Sequence, residues 1–302
     1  MTNQELSTLF PDWSVQALEA LTTIKCGALS STAVSTICQS LNINVGQLQQ
    51  SLLPLAESYA ITPLSDFQVG AVALGTEHDA EGYPALYLGA NLEFTQVGMN
   101  YTIHAEQSVT AVASAHGDKI SALALNVTPC GMCRQLLHEH NTAAELPVLV
   151  NGENTINLSE LLPRAFGPED LSQSVYQPPR DTGLFNDMTA QQLLNQAQAF
   201  SYAPYSGSAI ACVLETNSGA SYPGFSLESA AYNPSLSALS VALILAQLNA
   251  EPVFSDNERS EFKRLTVLVK DKDAVETAPF QELALLWRQL APEGEFTVVN
   301  SV

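Results

Sequence analysis

Two stretches of this chain occur twice. "SYAITPLS" at residues 58–65 returns as "SYAPYS" at 201–206, and "GANLEF" at 89–94 returns as "GFSLES" at 224–229. The copies are 141 residues apart at Ser65 and Ser206 but 135 apart at Gly89 and Gly224, which a shorter hairpin in the second copy explains. The repeat therefore predicts two versions of one structural unit in the same chain.

The first copy alternates strand-like and helix-like segments. "FQVGAVALG", "ALYLGANLEF" and "ISALALNVTP" have the apolar patterns of strands, whereas "HAEQSVTAVASAHG" and "CRQLLHEH" have those of helices. This alternation predicts a layered α/β fold.

The remaining segments can be assigned around the two copies. Residues 1–49 carry apolar residues at helical spacing and are predicted to form a small N-terminal helical segment. Those positions are Val15, Leu18, Leu21 and Ile24. Residues 50–172 would form the first domain and 188–302 its degenerate counterpart. Between them, residues 173–187 are polar and contain a double proline, which indicates a linker.

A histidine and a glutamate stand two residues apart in "TIHAEQSV", and two cysteines follow in "TPCGMCRQ". The Thr-Pro pair is typical of a helix start, so Cys130 and Cys133 would share one face of a first turn, where the helix dipole favours thiolates. His104 would begin its own helix. Two helix N-termini directed at one point would supply three zinc ligands and leave a fourth position for water, as a catalytic zinc site requires.

Glu106 is not needed as a ligand and is therefore the candidate acid and base. Zinc can lower the pKa of water from 15.7 toward roughly 7, but two thiolates cancel the formal charge of the ion and weaken this effect. A nearby carboxylate that accepts the proton then becomes necessary.

Other interpretations of these residues are a redox pair of cysteines or a closed structural zinc site. The fourth ligand of a closed site would be His138, His140 or Cys212. A structural site has no use for the carboxylate of Glu106, so we favour the catalytic interpretation.

The second copy serves as a control for helix capping. Carrying the 135-residue offset forward places Leu239 opposite His104 and Val241 opposite Glu106, and the second copy has no Pro-Cys-x-x-Cys. If the pair served only to cap a helix, the second copy should also have a polar residue at the corresponding position. The comparison therefore favours chemistry in the first copy.

Composition limits the partners and the compartment. The chain has 11 Lys and Arg against 31 Asp and Glu, a formal charge of -20, which disfavours binding to nucleic acid. We find no pattern of a secretory signal or of a membrane span, so no membrane partner is expected. Five cysteines with one close pair do not form a disulfide framework, and Cys26, Cys38 and Cys212 are expected to be buried. These features predict a soluble, cytoplasmic protein.

At the residues described above the chain resembles the zinc-dependent cytidine deaminases, whose motif is H-x-E with P-C-x-x-C. "PLSDFQVGA", "GANLEF", "HAEQS", "TPCGMCRQ" and "AFGPEDL", followed by a degenerate second copy, are similar to the long, two-domain, homodimeric bacterial form. The resemblance implies a three-layer α/β fold with a mixed sheet between helices, present twice, and one zinc ion per chain. It also implies hydrolytic deamination of free cytidine and 2′-deoxycytidine to uridine and 2′-deoxyuridine, with zinc-bound hydroxide attacking C4, in pyrimidine salvage.

The resemblance also assigns roles to individual residues. His104, Cys130 and Cys133 would bind zinc, and Glu106 would carry the proton to the pyrimidine N3 and to the leaving ammonia. The nucleoside would contact Phe67 at the base, Asn91 and Glu93 at the ribose hydroxyls, and backbone groups of Ala105 and Thr128 at the polar edge of the ring. The partner subunit of a homodimer would help to close the pocket through Phe166 and Tyr232.

Several alternatives stay open at this point. Asn91 and Glu93 could cap a turn or a strand end, and the rings of Phe166 and Tyr232 could serve ordinary packing. The chain could deaminate another aminated nucleoside or a nucleotide, or be a zinc-stabilised binding protein without activity. The segment "TEHDAEGYPAL" at 76–86 is longer than the resemblance suggests, and we expect it to be a solvated hairpin.

Overall fold

Two β-sheets, one in each half of the chain, form the framework of the computed structural model. The structure describes residues 2–140, 145–151, 154–180, 188–249, 262–269 and 275–300. Its helices are α1 (Asn3–Leu9), α2 (Val15–Leu21), α3 (Ser31–Leu41), α4 (Val45–Ser51), α5 (Leu53–Glu57), α6 (Ala105–Ala115), α7 (Gly131–His140), α8 (Leu158–Leu161), α9 (Ala190–Phe200), α10 (Ala238–Gln247) and α11 (Ala278–Leu290). Its strands are β1 (Ala28–Leu29), β2 (Gly70–His78), β3 (Pro84–Ala90), β4 (Ile120–Leu125), β5 (Pro147–Val150), β6 (Ile156–Asn157), β7 (Ala211–Thr216), β8 (Ser221–Phe225), β9 (Phe262–Val269) and β10 (Glu295–Asn300).

The two sheets share one topology. The first sheet has the order β1-β3-β2-β4-β5-β6, with β4 and β5 parallel and the other neighbours antiparallel. The second has the order β8-β7-β9-β10, with only β9 and β10 parallel among its described pairs. The four strands β3-β2-β4-β5 therefore recur as β8-β7-β9-β10. The predictions of an α/β fold with mixed sheets and of an internal duplication are confirmed.

The five segments predicted from the first copy form β2, β3, β4, α6 and α7. The insertion at 76–86 is a hairpin between β2 and β3, as expected, and its turn is held by Asp79, whose carboxylate accepts hydrogen bonds from the N–H groups of Glu81 and Tyr83 at 3.0 and 2.9 Å. The hairpin is not wholly solvated, because Glu81 also accepts a hydrogen bond from the hydroxyl of Ser35 at 3.2 Å.

The N-terminal segment is helical as predicted, but it also contributes a strand. Residues Ala28–Leu29 form β1, which pairs with the outer edge of β3. Leu18 and Leu21 are buried in α2, whereas Val15 at the start of that helix is 72% exposed. The segment therefore packs against the first sheet and extends it by one strand.

The two halves are joined through their central helices. Helix α6 packs against α10 as well as against its own sheet, and every residue of α6 is buried. Hydrogen bonds also cross between the halves from Gln247 Nε2 to the carbonyl of Tyr59 at 2.7 Å and from the N–H of Cys26 to Asn249 Oδ1 at 3.2 Å. A helix buried on all sides has little freedom to move, so the first turn of α6 is held firmly in place.

A buried carboxylate at the end of α7 makes a further link between the halves. Glu139 is fully buried, and its oxygens accept hydrogen bonds from the hydroxyls of Tyr202 and Tyr205 at 2.9 and 2.6 Å and from the N–H of Ala230 at 2.9 Å. All three donors belong to the second half. The second half thereby satisfies a charge on the helix that begins beside the two cysteines of the first half.

The polar stretch predicted to be a linker begins as an ordered segment. Tyr176 is buried and donates a hydrogen bond from its hydroxyl to the carbonyl of Phe200 at 2.8 Å. The remainder of this prediction, residues 181–187, lies outside the described residues.

The other sequence expectations concern cysteines and the membrane. Cys26, Cys38 and Cys212 are buried and free, as predicted. Among the described helices, none is both long enough and apolar enough to cross a bilayer.

Replacing Glu139 with alanine should lower the free energy of unfolding by about 3 kcal/mol, because the buried N–H of Ala230 and the half-buried hydroxyls of Tyr202 and Tyr205 lose this acceptor. Urea unfolding followed by circular dichroism measures the change. The control is Glu19→Ala, which removes an exposed carboxylate from α2. An equal effect of the two substitutions would contradict the role given to the Glu139 contacts.

Candidate metal centre and substrate site

Three sulfur and nitrogen atoms meet where two helices of the first half begin. The Nδ1 atom of His104 lies 3.5 Å from Cys130 Sγ and 3.4 Å from Cys133 Sγ, and the two sulfur atoms are 3.4 Å apart. The sequence prediction that these three side chains converge is confirmed in geometry.

Helix α6 places the histidine. His104 is the residue that precedes α6, and its N–H donates to Gln107 Oε1 at 2.8 Å. Gly89 on β3 allows the helix to approach the sheet, because a Cβ atom at this position would lie only 2.4 Å from the carbonyl oxygen of Ala105. The glycine of the "GANLEF" motif therefore sets the distance at which the imidazole is presented.

Helix α7 places the cysteines. The helix begins at Gly131, two residues later than the Thr-Pro pair predicted, and its first hydrogen bond runs from the N–H of Arg134 to the carbonyl of Cys130 at 3.0 Å. The guanidinium of Arg134 donates to the carbonyls of Pro129 and Leu161 at 2.9 and 2.8 Å. These bonds fix the backbone just before the helix, so that Cys130 caps it and Cys133 follows in its first turn.

The donor set fits a zinc ion. Zinc is bound by cysteine sulfur at about 2.3 Å and by histidine nitrogen at about 2.0–2.1 Å, and an ion just outside the plane of a triangle with sides of 3.4–3.5 Å can reach all three atoms. Two thiolates and an imidazole are ligands that zinc prefers. Among the described residues, the group contains these three side chains and no fourth histidine or cysteine.

The residues considered as a fourth ligand have other positions. His138 packs against Gly167, and His140 is buried with its ring edge-on to those of Tyr176 and Tyr202. Cys212 lies in β7 of the second sheet. The geometry thus does not support the closed structural site.

The two thiols of the site differ in acidity. The hydrogen bonds from Cys133 and His104 lower the pKa of the Cys130 thiol. Donation of its hydrogen bond to Cys130, together with burial, raises the pKa of Cys133. Zinc binding requires both thiols to lose their protons.

Glu106 is next to this group and almost completely buried, with 3% of its surface exposed. Removal from water raises the pKa of its carboxyl, and the interaction with the Cys133 thiol opposes that effect. Burial thus favours the neutral form of this carboxyl, and a proton carrier must take up a proton in one step and release it in another.

Asn91 and Glu93 hold the loop that precedes β2. Asn91 accepts a hydrogen bond from the N–H of Val69 at 2.8 Å and donates to the carbonyl of Phe67 at 2.9 Å. Glu93 Oε2 accepts from the N–H groups of Leu64 and Ser65 at 2.9 and 3.0 Å, and its Oε1 accepts from the Ser65 hydroxyl at 2.5 Å. These hydrogen bonds of Asn91 and Glu93 are therefore those expected if the two residues cap a turn or a strand end. Oε1 still has acceptor capacity for one further hydroxyl.

The remaining candidates differ in exposure, from the buried Ala105 to the exposed Phe67. Phe67 lies on that loop with 57% of its surface exposed, Ala105 is the first residue of α6, and Thr128 is exposed two residues before Cys130. Phe166 is 45% exposed, and its carbonyl accepts a hydrogen bond from Gln135 Nε2 of α7.

Tyr232 lies in the second half. It is 64% exposed, has a positive φ of 60°, and packs edge-on against Tyr205.

The sequence alignment of the two copies needs a correction at the central helix. In the first copy Leu92 pairs with Ile103, and in the second copy Leu227 pairs with Leu236. The offset therefore falls from 135 to 133 residues between the strand and the helix, because the connection is two residues shorter in the second copy.

With this register Ser237 corresponds to His104, and Leu239 corresponds to Glu106. The expectation that Leu239 lies opposite His104 and Val241 opposite Glu106 is therefore wrong. Ser237 caps α10 by accepting a hydrogen bond from the N–H of Ser240 at 3.1 Å. The second copy thus keeps a polar cap, which removes the capping argument for the histidine position. It has a buried leucine at the carboxylate position, which still separates the two copies chemically.

Three functional positions were not identified from sequence. Gln107 caps the backbone of His104 and also donates from Nε2 to the carbonyl of Pro234 in the second half at 2.9 Å. Its position three residues after the cap is a capping-box signal that could have been read. Arg134 and Glu139 carry no such signal, because their partners are distant in sequence.

Comparison with known proteins gives concordant matches. Two models described as "Cytidine and deoxycytidylate deaminase zinc-binding region" match residues 47–148 and 158–277. A cytidine deaminase of Pectobacterium carotovorum is 38% identical over 235 residues, 74% of this chain and 75% of that protein. One from Yersinia pestis is 38% identical over 252 residues, 82% of this chain and 81% of that protein.

Solved structures also match over part of the chain. Cytidine deaminase from Mycobacterium tuberculosis is 31% identical, with a TM-score of 0.34, and the match covers 40% of this chain and 97% of that one. Cytidine deaminase from Burkholderia pseudomallei is 26% identical, with a TM-score of 0.35, and the match covers 40% and 98%.

The metal centre predicts different zinc contents for two variants. Cys133→Ala should lose nearly all bound zinc, because it removes one of three ligands, whereas Glu106→Gln should keep about one ion per chain. Atomic absorption on dialysed protein measures both. Equal zinc loss would mean that Glu106 is itself a ligand.

Proposed function

The chain belongs to the cytidine deaminase family, and we propose that it deaminates free cytidine and 2′-deoxycytidine to uridine and 2′-deoxyuridine with release of ammonia. The observation that carries the proposal is the convergence of His104, Cys130 and Cys133 beside the buried carboxylate of Glu106. A zinc ion bound there lowers the pKa of a bound water and so supplies a nucleophile near neutral pH.

Glu106 serves as the proton carrier in this proposal. It accepts one proton from the nucleophilic water and delivers it to N3 of the pyrimidine. It then accepts the remaining proton of the new C4 hydroxyl and delivers it to the amino group, which leaves as ammonia when the C4–N bond breaks. Its burial supports the assignment, since the raised pKa of the carboxyl lets it be neutral in one step and charged in the next.

The base and the sugar are held by neighbouring groups. The first N–H groups of α6, beginning at Ala105, have no acceptor within the helix and can bind a polar edge of the base, with Thr128 opposite. Phe67 supplies an aromatic face for the base. Asn91 and Glu93 form hydrogen bonds with the ribose hydroxyls, in which the carboxylate of Glu93 is the acceptor. The remaining acceptor capacity of Glu93 Oε1, which within the described part of the chain accepts only from the Ser65 hydroxyl, supports the ribose assignment.

Charge favours a nucleoside over a nucleotide. Residues 26–118, which contain the loop, both strands and the start of α6, include no Lys or Arg. The guanidinium of Arg134 is already bound to two backbone carbonyls. A 5′-phosphate would therefore meet the Glu93 side of the site without a compensating cation.

The domain organisation follows from the same proposal. Residues 50–172 form the catalytic domain, 188–302 form a non-catalytic counterpart, residues 173–187 link them, and residues 1–49 precede both. The pair of family matches and the repeated sheet topology support this division. Free thiolate ligands suit the reducing conditions of the cytoplasm, where we place the protein.

The chain acts as a homodimer in this proposal. The surface has exposed apolar side chains that a second subunit could cover. They are Phe67, Met132, Phe166 and Tyr232. Phe166 and Tyr232 of each chain would then help to close the pocket of the other. Sedimentation equilibrium should give twice the chain mass, and a fully active monomer would contradict the assignment.

The activity is tested by the ultraviolet change that accompanies conversion of cytidine to uridine. The purified protein should convert cytidine, lose this activity when a chelator removes zinc, and regain it when zinc is returned. Cytidine 5′-monophosphate is the control substrate and should react far more slowly. No conversion of cytidine by protein that holds one zinc per chain would overturn the proposal and point to another aminated base.

Glu106→Gln should reduce turnover by at least about 10²-fold while zinc stays bound, because the amide cannot carry a proton. The same absorbance assay gives the rate, with zinc content determined on the same sample. Turnover close to that of the unmodified protein would exclude Glu106 as the proton carrier.

A further inference from the structure

A cleft of about 720 Å³ lies between the two halves, and its lining includes neither the three zinc ligands nor Glu106. Its wall in the second half consists of the loop before β7, the end of β8 and the start of α10. The opposite wall comes from residues 100–103, Gln107 and Met132 of the first half and from α11. The volume is within the range of roughly 300–1,000 Å³ that small-molecule sites occupy.

The cleft lies where the second half would have its substrate site. The loop and strand positions that correspond to Phe67, Asn91 and Glu93 all line it, and so does the helix cap that corresponds to His104. Those lining residues are Ser208, Ser226, Glu228 and Ser237. The second copy has therefore kept the space of the site while its residues have changed.

One interaction of the substrate site recurs almost unchanged. Glu228 Oε2 accepts hydrogen bonds from the N–H groups of Tyr205 and Ser206 at 2.9 and 3.2 Å, and its Oε1 accepts from the Ser206 hydroxyl. Glu93 makes the corresponding three bonds to Leu64 and Ser65. The carboxylate of the second copy is thus held on its loop in the same way as the one assigned to ribose.

The reactive groups are absent from the second copy. Leu239 stands at the position of Glu106, Ser237 stands at the position of His104, and the sequence contains no cysteine after Cys212. A molecule in this cleft would be bound and released unchanged.

The chemistry of the walls selects the class of ligand. Residues 181–258 contain no Lys or Arg, and the cleft is lined by the carboxylates of Glu228 and Glu282. An anion such as a nucleotide would be repelled. Serine hydroxyls and the rings of Tyr101 and Tyr205 suit a neutral molecule that has hydroxyl groups and an aromatic ring.

We propose that the second half binds an uncharged nucleoside in this cleft without converting it. The proposal rests on the function proposed for the first half, from which the ligand class and the role of the acidic residue are carried over. Each chain would accordingly hold two nucleosides, of which one reacts.

The test is the number of uridine molecules bound per chain, measured by equilibrium dialysis of the zinc-loaded protein with labelled uridine. We expect two, because uridine is not consumed and fits both sites. Saturation at one uridine per chain, as would result from a partner subunit filling the cleft, would overturn the proposal. Cytidine turnover measured on the same preparation separates this outcome from failure of the proposed function.

A matched pair of variants assigns the two sites. Glu228→Gln should weaken one class of uridine binding at least tenfold, and Glu93→Gln should weaken the other and slow deamination. Glutamine retains an oxygen that accepts from the loop N–H groups, so both loops should stay folded. Two unaffected uridine sites in Glu228→Gln would also overturn the proposal.

A measurement on the unmodified protein covers the case in which a variant fails to fold. 4-Thiouridine bound to the protein is cross-linked by near-ultraviolet light, and the labelled peptides are identified by mass spectrometry. We expect label in residues 201–240 as well as in the peptides that carry Phe67 or Glu106. Label confined to the latter peptides would contradict a second site.

Discussion

The close contact between β3 and the start of α6 determines most of this structure. Gly89 lets the backbone of Ala105 approach the strand, and Gly224 does the same in the second half, where a Cβ atom would lie 2.0 Å from the carbonyl of Ala238. No larger residue fits without moving the helix. Because α6 is buried by its own sheet and by α10, its first turn cannot shift to relieve a poor fit at the metal centre. The position of His104 is therefore a property of the sheet and of the second half together.

The contacts that the second half makes with the first explain why a degenerate copy persists in the chain. Its donors satisfy Glu139 on α7, and the carbonyl of Pro234 accepts from Gln107 next to His104. Both helices that carry zinc ligands are thus anchored by groups of the copy that has lost those ligands. The second copy can lack the zinc ligands and still keep its fold. Its contacts with the first half are made by backbone groups and by side chains that are not zinc ligands.

The sequence predicted the fold and the zinc ligands because both depend on local spacing. Alternating segments located β2, β3, β4, α6 and α7, and the motif residues converge because helix starts bring nearby side chains together. The sequence alignment of the second copy was wrong by two residues at the central helix. The connection before that helix is shorter in the second copy, and the apolar pattern of the helix does not reveal the difference. The network of Glu139 and the bond from Arg134 to Leu161 could not be predicted, because these partners lie 27 to 91 residues away in sequence.

The central claim is that three side chains hold a zinc ion and leave one position open. X-ray absorption at the zinc edge of the unmodified, zinc-loaded protein tests it directly. The account predicts a shell of two sulfur atoms at about 2.3 Å and two lighter atoms at about 2.0 Å, one from His104 and one from water. A shell with a third sulfur atom or a second imidazole would show a closed structural site and contradict the account.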